Sequence, residues 1–141
     1  DMGSTILISR LIDSDYIDYK RILPKDCRTR VLVDKDALME SVDRAQLVSR
    51  EGNNSVLFKI GSEAVAIKAE SIIGKVEDEL PAQVMGDGLD IAFNPRFVLN
   101  VLKNMEDDKV YLECNSPINP CVIRPVNGED YFYLIVPMRI F

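Results

Sequence analysis

Two short runs of carboxylates come closest, among the residues of this chain, to the spacing that acid–base or metal chemistry requires. Glu77-Asp78-Glu79 and Glu106-Asp107-Asp108 each place three acids side by side. Neighbouring side chains of a β-strand point to opposite faces, so Glu77 and Glu79 would share one face. A metal site needs more ligands around a common point. The two runs therefore predict acidic edges that face solvent or a partner.

The composition excludes most other catalytic chemistry. The 141 residues include no histidine, which removes Ser-His-Asp and Cys-His catalysis and His-ligated zinc. The sequence also lacks a Gly-rich phosphate loop, a nucleophile elbow and a CxxC pair. We therefore predict that the chain is not an enzyme and that it has no catalytic residue, metal or cofactor.

The three cysteines indicate a reducing compartment. Cys27, Cys114 and Cys121 form an odd and sparse set, which is typical of cytoplasmic proteins rather than of a disulfide framework. Cys114 and Cys121 are seven residues apart and could face each other across a hairpin. Burial as small apolar side chains is the simpler interpretation of the pair.

Length and charge limit the possible partners. A chain of 141 residues corresponds to one domain, and 17 basic against 23 acidic residues give a net charge of -6. A free-standing DNA-binding domain is usually basic, so this class starts at a disadvantage. The longest apolar run, Tyr131 to Met138, is too short to cross a bilayer, so no membrane association is predicted. The opening Asp1-Met2-Gly3-Ser4 suggests a cloning remnant on a fragment of a longer protein.

Two successive segments show the same order of predicted elements: a strand, a helix and three strands. Asp34, and later Asn94 followed by Pro95, are suited to the starts of the two helices because their side-chain oxygens can accept hydrogen bonds from the first turn. The first segment has a strand at 28–33, a helix at 35–50, and strands at 56–60, 64–67 and 71–79 or 71–84. The second has a strand at 89–93, a helix at 96–105, and strands at 109–113, 120–125 and 131–136. A further strand is predicted at 5–12, before a connector that ends at Pro24. This order predicts an α+β fold with two helices packed on antiparallel sheets.

The second helix combines a polar or basic stripe with an apolar one. Arg96, Asn100, Lys103 and Asn104 share one side, and no acid lies between Pro95 and Met105. The opposite stripe, assigned to the core, consists of Val98, Leu99, Val101 and Leu102. The polar stripe is either a solvated face or a surface for an anionic partner.

The C-terminal segment is unusually apolar for a chain end. Alternation places Phe132, Leu134 and Val136 on one face of the last strand, and Pro137 ends its hydrogen bonding. The large apolar residues that follow are Met138, Ile140 and Phe141. This segment is either a last strand tucked into the core or one wall of a peptide-binding pocket.

Several motifs together resemble one family. Asp18-Tyr19-Lys20-Arg21-Ile22-Leu23-Pro24 is similar to the linker motif of bacterial DNA sliding clamps, the beta subunit of DNA polymerase III. Other similar stretches follow in the family's order: Ala37-Leu38, Asp43-Arg44-Ala45, Phe93-Asn94, Val98-Leu99, the segment from Pro120 to Arg124, and Val136-Pro137-Met138-Arg139. The matching part is the third, C-terminal domain of the clamp subunit.

The resemblance implies a DNA-clamp fold, with two helices on an inner face and two four-stranded sheets outside. Residues 1–19 would be the last strand of the middle domain plus the linker, and residues 20–141 the C-terminal domain. Subunits would close head to tail into a homodimeric ring around duplex DNA in the bacterial cytoplasm, as part of the nucleoid-associated replication machinery. The ring would be a non-enzymatic processivity factor, in which only the lumen need be mildly positive.

The resemblance also assigns candidate sites. A pocket that binds short hydrophobic motifs of the polymerase, the clamp loader and repair proteins would be lined by Ile17, Arg21, Ile22, Phe97, Pro120, Leu134, Val136, Pro137, Met138 and Arg139. The DNA-facing residues would be Arg44, Arg96 and Lys103. The subunit interface would use Leu47, Val48, Ile72, Ile73, Lys75 and Glu77.

Two other hypotheses remain open from the residues alone. One is an α+β adaptor domain that is unrelated to DNA and binds a protein through its acidic surface. The other, weaker one is a metal-dependent enzyme that uses the acidic runs.

Overall fold

The chain folds into two repeats of a strand, a helix and three strands, as the sequence predicts. The structure, a computed structural model, describes residues 3–24, 26–128 and 130–140; Phe141 lies outside them. A short helix, α1 (Tyr19–Ile22), precedes the repeats. The first repeat contains β1 (Thr29–Asp34), α2 (Lys35–Ser49), β2 (Val56–Ile60), β3 (Ala64–Ser71) and β4 (Gly74–Gly86). The second contains β5 (Leu89–Phe93), α3 (Pro95–Lys103), β6 (Lys109–Cys114), β7 (Cys121–Pro125) and β8 (Tyr133–Ile135).

Both predicted helix caps are present. The Asp34 carboxylate accepts a hydrogen bond of 2.9 Å from the backbone N–H of Ala37, at the start of α2. The Asn94 side chain accepts one of 3.0 Å from the N–H of Arg96, and Pro95 occupies the first turn of α3. These bonds satisfy N–H groups that a helix start leaves without an intrahelical partner. Within the described residues, no helix is long and apolar enough to cross a membrane.

The strands form one antiparallel sheet in the order β5-β2-β3-β4-β1-β6-β7-β8. Each repeat contributes its first strand to the other repeat, because β1 pairs with β6 and β5 pairs with β2. β4 is long enough to pair with β3 through residues 74–81 and with β1 through residues 82–86. The two four-stranded sheets that the resemblance implies are therefore continuous through β4.

Gly86 makes the close approach at the end of β4 possible. Its φ angle is +100°, and a Cβ atom there would lie 1.8 Å from the carbonyl oxygen of Arg28. Any side chain would force the β1–β4 pair apart, so the junction of the two half-sheets depends on this glycine.

The core lies between the two helices and the sheet. On α2, Leu38, Val42 and Ala45 are fully buried, and the rings of Phe58 and Phe93 meet edge to face with centroids 5.2 Å apart. The predicted apolar stripe of α3 is confirmed, since its four members, Val98, Leu99, Val101 and Leu102, are all buried. Both helices are thus fixed by apolar packing and not by their exposed faces.

The strand predicted at 5–12 is wrong for this chain. The structure has no helix or strand between residues 3 and 18, and Ile8 and Leu11 are 89% and 90% exposed. A strand exists only when its backbone groups pair with a neighbour, and no described strand pairs with this segment. The apolar side chains of this segment are therefore exposed in the described structure.

Candidate functional site

An open apolar groove lies between α3 and β8. One wall is the α3 stripe of Phe97, Asn100, Val101 and Asn104, and the other is the segment 133–136. Residues spaced by three, four and seven positions lie on one side of a helix, which is why these four side chains line the same wall. The groove has a volume of about 470 Å³.

The position of β8 at the end of the sheet opens this groove. β8 pairs with β7 through three residues, and no other described strand pairs with it. Beyond Pro137, the backbone N–H of Met138 donates a hydrogen bond of 2.7 Å to the carbonyl of Ala92 on β5. The chain end is therefore held against the far strand of the sheet, while β8 stays beside α3.

The groove has a buried apolar floor and an exposed apolar rim. Val101 and Ile135 are buried, whereas Phe97 is 58% and Val136 is 65% exposed. The amide of Asn104 donates a hydrogen bond of 2.6 Å to the backbone carbonyl of Asn100. Large apolar groups around a concave surface with a few polar groups are typical of a site that binds apolar side chains of a ligand.

The groove brings together three of the ten pocket residues that the resemblance assigned, namely Phe97, Leu134 and Val136. The lining residues that sequence reasoning missed are Asn100, Val101, Asn104, Tyr133 and Ile135. The sequence does contain a signal for the residues on α3, because Asn100, Val101 and Asn104 follow Phe97 at helical spacing. The two asparagines are polar, however, so sequence reasoning assigned them to the polar stripe.

The other seven pocket residues lie outside the lining of this groove in the described part of the chain. Ile17, Arg21 and Ile22 are exposed around α1, where Arg21 forms an ion pair of 3.0 Å with Asp18. The remaining four are Pro120, Pro137 and Met138, which are half-buried, and Arg139, which lines a cavity with Leu57 and Lys68. Their membership in one pocket stays a prediction.

The three predicted DNA-facing residues differ in their surroundings. Arg96 and Lys103 are exposed on α3 around a shallow cavity of about 410 Å³, together with Gln46 of α2. Arg44 on α2 instead forms an ion pair of 2.9 Å with Asp78 and a longer one of 3.8 Å with Glu40. The charge of Arg44 is therefore largely compensated, and α3 provides the more accessible positive charge.

Two acids of the run on β4, Glu77 and Asp78, also form ion pairs. The carboxylate of Glu77 lies 2.6 Å from the ammonium of Lys68 and 3.2 Å from that of Lys75. These contacts with Lys68 and then Lys75 lower the pKa of Glu77. Asp78, on the other face of the strand, also accepts a hydrogen bond of 3.0 Å from the hydroxyl of Ser41. Within the described residues, no group of acids and cysteines has the arrangement of a metal site.

The predicted subunit-interface residues gather where α2 ends beside the β3–β4 turn. Leu47, Ile72 and Ile73 are 59%, 93% and 61% exposed, while Val48 packs partly against the core. Two isoleucines form the tip of this hairpin, a position that polar residues or glycine usually occupy. Residues 74–81 of β4 pair with β3 alone among the described strands, which leaves one edge open.

Sequence comparison identifies the domain. The profile of the DNA polymerase III beta subunit, C-terminal domain, matches residues 20–139. The chain belongs to this family. It is 32% identical over 142 aligned positions to the beta sliding clamp of Bacillus subtilis, and 31% identical over 143 to that of Staphylococcus aureus strain Mu50. These alignments cover 98% and 99% of the chain but 38% of each relative, so the chain spans about 38% of the length of these curated relatives.

Solved structures of the same family confirm the predicted clamp fold. The beta subunit from Thermotoga maritima superposes with a TM-score of 0.90 at 34% identity, over 94% of this chain and 36% of that one. The sliding clamp from Bacillus subtilis gives a TM-score of 0.87 at 34% identity, with the same two coverages. The strand-helix-three-strand repeats of this chain are thus the architecture of a sliding-clamp domain.

Proposed function

We propose that this chain is the C-terminal part of a DNA sliding clamp, a non-enzymatic processivity factor that encircles duplex DNA and tethers other replication proteins. The observation that supports this most is the open apolar groove between α3 and β8 on a sliding-clamp fold. An adaptor unrelated to DNA or a metal-dependent enzyme has no comparable support.

The groove is proposed to bind short hydrophobic motifs of the polymerase, the clamp loader and repair proteins. Phe97, Leu134 and Val136 provide its apolar rim and wall. A side chain that inserts between them would be removed from water on both sides, and each fully buried large apolar side chain contributes about 1.5–3 kcal/mol. The other members of the proposed pocket are Ile17, Arg21, Ile22, Pro120, Pro137, Met138 and Arg139.

Contact with DNA is proposed to be weak and independent of sequence. With a net charge of -6, the chain as a whole repels phosphate, and Arg96 and Lys103 are local exceptions. Arg44 would contribute less because Asp78 already compensates it. Retention on DNA would come from ring closure, and linear duplex should bind this chain alone only at the level of non-specific contacts, about 10⁻⁴–10⁻⁶ M.

The ring is proposed to be a homodimer closed through the end of α2 and the open edge of β4. Leu47, Val48, Ile72 and Ile73 would supply the apolar contact, with Lys75 and Glu77 beside them. A strand from the neighbouring protomer would satisfy the backbone groups along the open edge. In the full-length protein, Leu47→Ala with Val48→Ala should then yield monomers, and an undiminished dimer in sedimentation would contradict this arrangement.

The proposed localisation is the bacterial cytoplasm, where the protein would be associated with the nucleoid. This localisation is inferred from the proposed role in replication.

A fluorescence-anisotropy titration with a labelled clamp-binding peptide tests the function. Pro137→Ala with Met138→Ala should weaken binding to the full-length protein by about tenfold or more, since 1.4 kcal/mol corresponds to one decade. Ile118→Ala is the matched control, because Ile118 is an apolar residue, 76% exposed on the β6–β7 loop, that is not a member of the proposed pocket. Absence of peptide binding to the unmodified protein would refute the tethering function, and unaffected binding of the double variant would remove these two residues from the pocket.

A further inference from the structure

Two buried thiols face each other at the end of the β6–β7 hairpin. β6 ends at Cys114 and β7 begins at Cys121. Since Glu113 pairs with Val122, the next pair toward the loop is Cys114 opposite Cys121. Their sulfur atoms are 2.9 Å apart, and the two residues are 2% and 1% exposed. Both are unbridged in the structure.

We propose that Cys114 and Cys121 form a redox-active dithiol that closes into an intramolecular disulfide without rearrangement of the backbone. Opposite residues of an antiparallel pair have Cα atoms about 4.5–5.5 Å apart, which falls within the range of about 4.4–6.8 Å that disulfides occupy. The sulfur atoms need to approach by about 0.9 Å to reach bonding distance. Small side-chain rotations achieve this because both cysteines already point to the same side of the hairpin.

The surroundings keep the thiols protonated and buried, so their reaction with an oxidant requires local opening. The hydrogen bond with Cys114, together with burial, raises the pKa of the Cys121 thiol, which keeps it protonated. Both cysteines belong to the hydrophobic core, next to the connecting residues 115–120, in which Ile118 is 76% exposed. The proposal requires that local opening at this end of the hairpin expose the sulfur atoms to the oxidant. The thiolate is the attacking species, so oxidation should accelerate as pH rises.

A small-molecule disulfide is the oxidant in this reaction. The thiolate of one cysteine attacks a sulfur of the small disulfide, whose S–S bond breaks and releases one thiolate that takes up a proton. The second cysteine, after losing its proton, attacks the protein sulfur of the mixed disulfide and releases the other small thiol. Overall, two protein thiols lose two protons and two electrons, and the small disulfide is reduced to two thiols.

Cys27 is the competing thiol and must be distinguished from the pair. It is exposed, and its sulfur donates a hydrogen bond of 3.3 Å to the carbonyl of Thr29, the β1 residue that pairs with Cys114. The sequence allows a clean assignment, because trypsin cannot cut between Lys109 and Arg124 and leaves Cys114 and Cys121 on one peptide. Cys27 lies on a separate peptide that ends at Arg28.

The test is oxidation of the folded chain with oxidised glutathione, followed by alkylation of remaining thiols, trypsin digestion and mass spectrometry. The expected result is a peptide from Val110 onward that has lost two hydrogens and carries no alkyl group, and that regains both thiols after reduction. The Cys27→Ser variant should give the same result. Cys114→Ala and Cys121→Ala should each abolish the bond, and alanine preserves the small apolar character of these buried positions.

Two outcomes of the mass-spectrometric experiment would overturn the inference. One is that Cys114 and Cys121 stay fully alkylatable after oxidation, with only Cys27 modified by glutathione. The other is a disulfide that joins Cys27 to either buried cysteine in place of the Cys114–Cys121 bond. Near-ultraviolet circular dichroism before and after oxidation should show that the native packing persists; a disulfide that forms only in unfolded chains would also contradict the proposal.

Discussion

The two repeats share a topology but present different surfaces. In the first repeat, α2 carries mixed charges, its Arg44 is tied to Asp78, and its end displays Leu47 beside the exposed tip of the β3–β4 hairpin. In the second repeat, α3 has no acid, its basic groups are exposed, and Phe97 lines the groove with β8. The same scaffold thus supports a proposed chain–chain contact in one repeat and a proposed peptide site in the other. Surface residues, rather than topology, separate the two roles.

The largest effect should be on stability and should come from the buried faces of α2 and α3, which are equivalent in the two repeats. Leu38→Ala on α2 and Leu102→Ala on α3 remove fully buried side chains, and each should lower the free energy of unfolding by roughly 2–5 kcal/mol. Urea unfolding followed by circular dichroism measures this. Leu47→Ala is the exposed control, and it should change stability by less than about 0.5 kcal/mol. If either substitution of a buried leucine left the free energy of unfolding unchanged, the two helices would not be equivalent in the core.

The next effect should separate the exposed apolar residues of the two helices. Phe97→Ala should weaken binding of a clamp-binding peptide by about tenfold, because a large apolar wall of the groove is lost. Leu47→Ala, a truncation of similar exposure on α2, should leave peptide affinity unchanged. Calorimetric titration measures both. Equal losses in the two variants would remove the distinction between the repeats.

A smaller effect should distinguish the basic groups. Arg96→Gln and Lys103→Gln should each weaken binding to a linear duplex and reduce the dependence of log affinity on log salt by somewhat less than one unit. Arg44→Gln should have a weaker effect, because its charge is already compensated by Asp78. Anisotropy titrations over a series of salt concentrations measure the DNA affinity of each of the three variants. An Arg44 effect as large as that of Lys103 would show that DNA displaces the ion pair.

The smallest effect concerns the acidic run of the first repeat. The pKa of Glu77 is lowered by Lys68 and Lys75, so its contribution to stability is present above the ordinary glutamate pKa of 4.5. It is lost as pH falls through the lowered pKa of the folded state. Glu77→Gln should therefore flatten the pH dependence of stability slightly in the acidic range and leave its neutral-pH shape unchanged. Urea unfolding at a series of pH values measures this, and a steeper acid transition in the variant would contradict the sign.

The sequence predicted the fold to within a few residues where local signals and burial agree. The caps at Asp34 and Asn94, the apolar stripes of the helices and the turn signals fixed the order of the elements. The predicted strand at 5–12 failed because its apolar pattern cannot reveal whether a pairing partner is present. The continuity of the sheet through β4 was not foreseen, since it depends on a strand that changes partners part-way along its length.

The candidate site was predicted less completely than the fold. Phe97, Leu134 and Val136 line one groove, whereas sequence reasoning missed the wall of Asn100 and Asn104. Asparagine side chains give no apolar signal, and their place in the groove follows only from the packing of α3 beside β8. The compensation of Arg44 could not be derived either, because Asp78 lies 34 residues further along the chain and reaches it only through the fold.

The most direct test of the central claim is chemical-shift mapping of a clamp-binding peptide on the isotopically labelled chain. The account predicts that the largest shifts cluster on α3 around Phe97 and Val101 and on β8 around Leu134, while the end of α2 and the β3–β4 turn stay unchanged. Shifts centred on Leu47 and Ile72, or no shifts at saturating peptide, would contradict the assignment of the groove as the binding site.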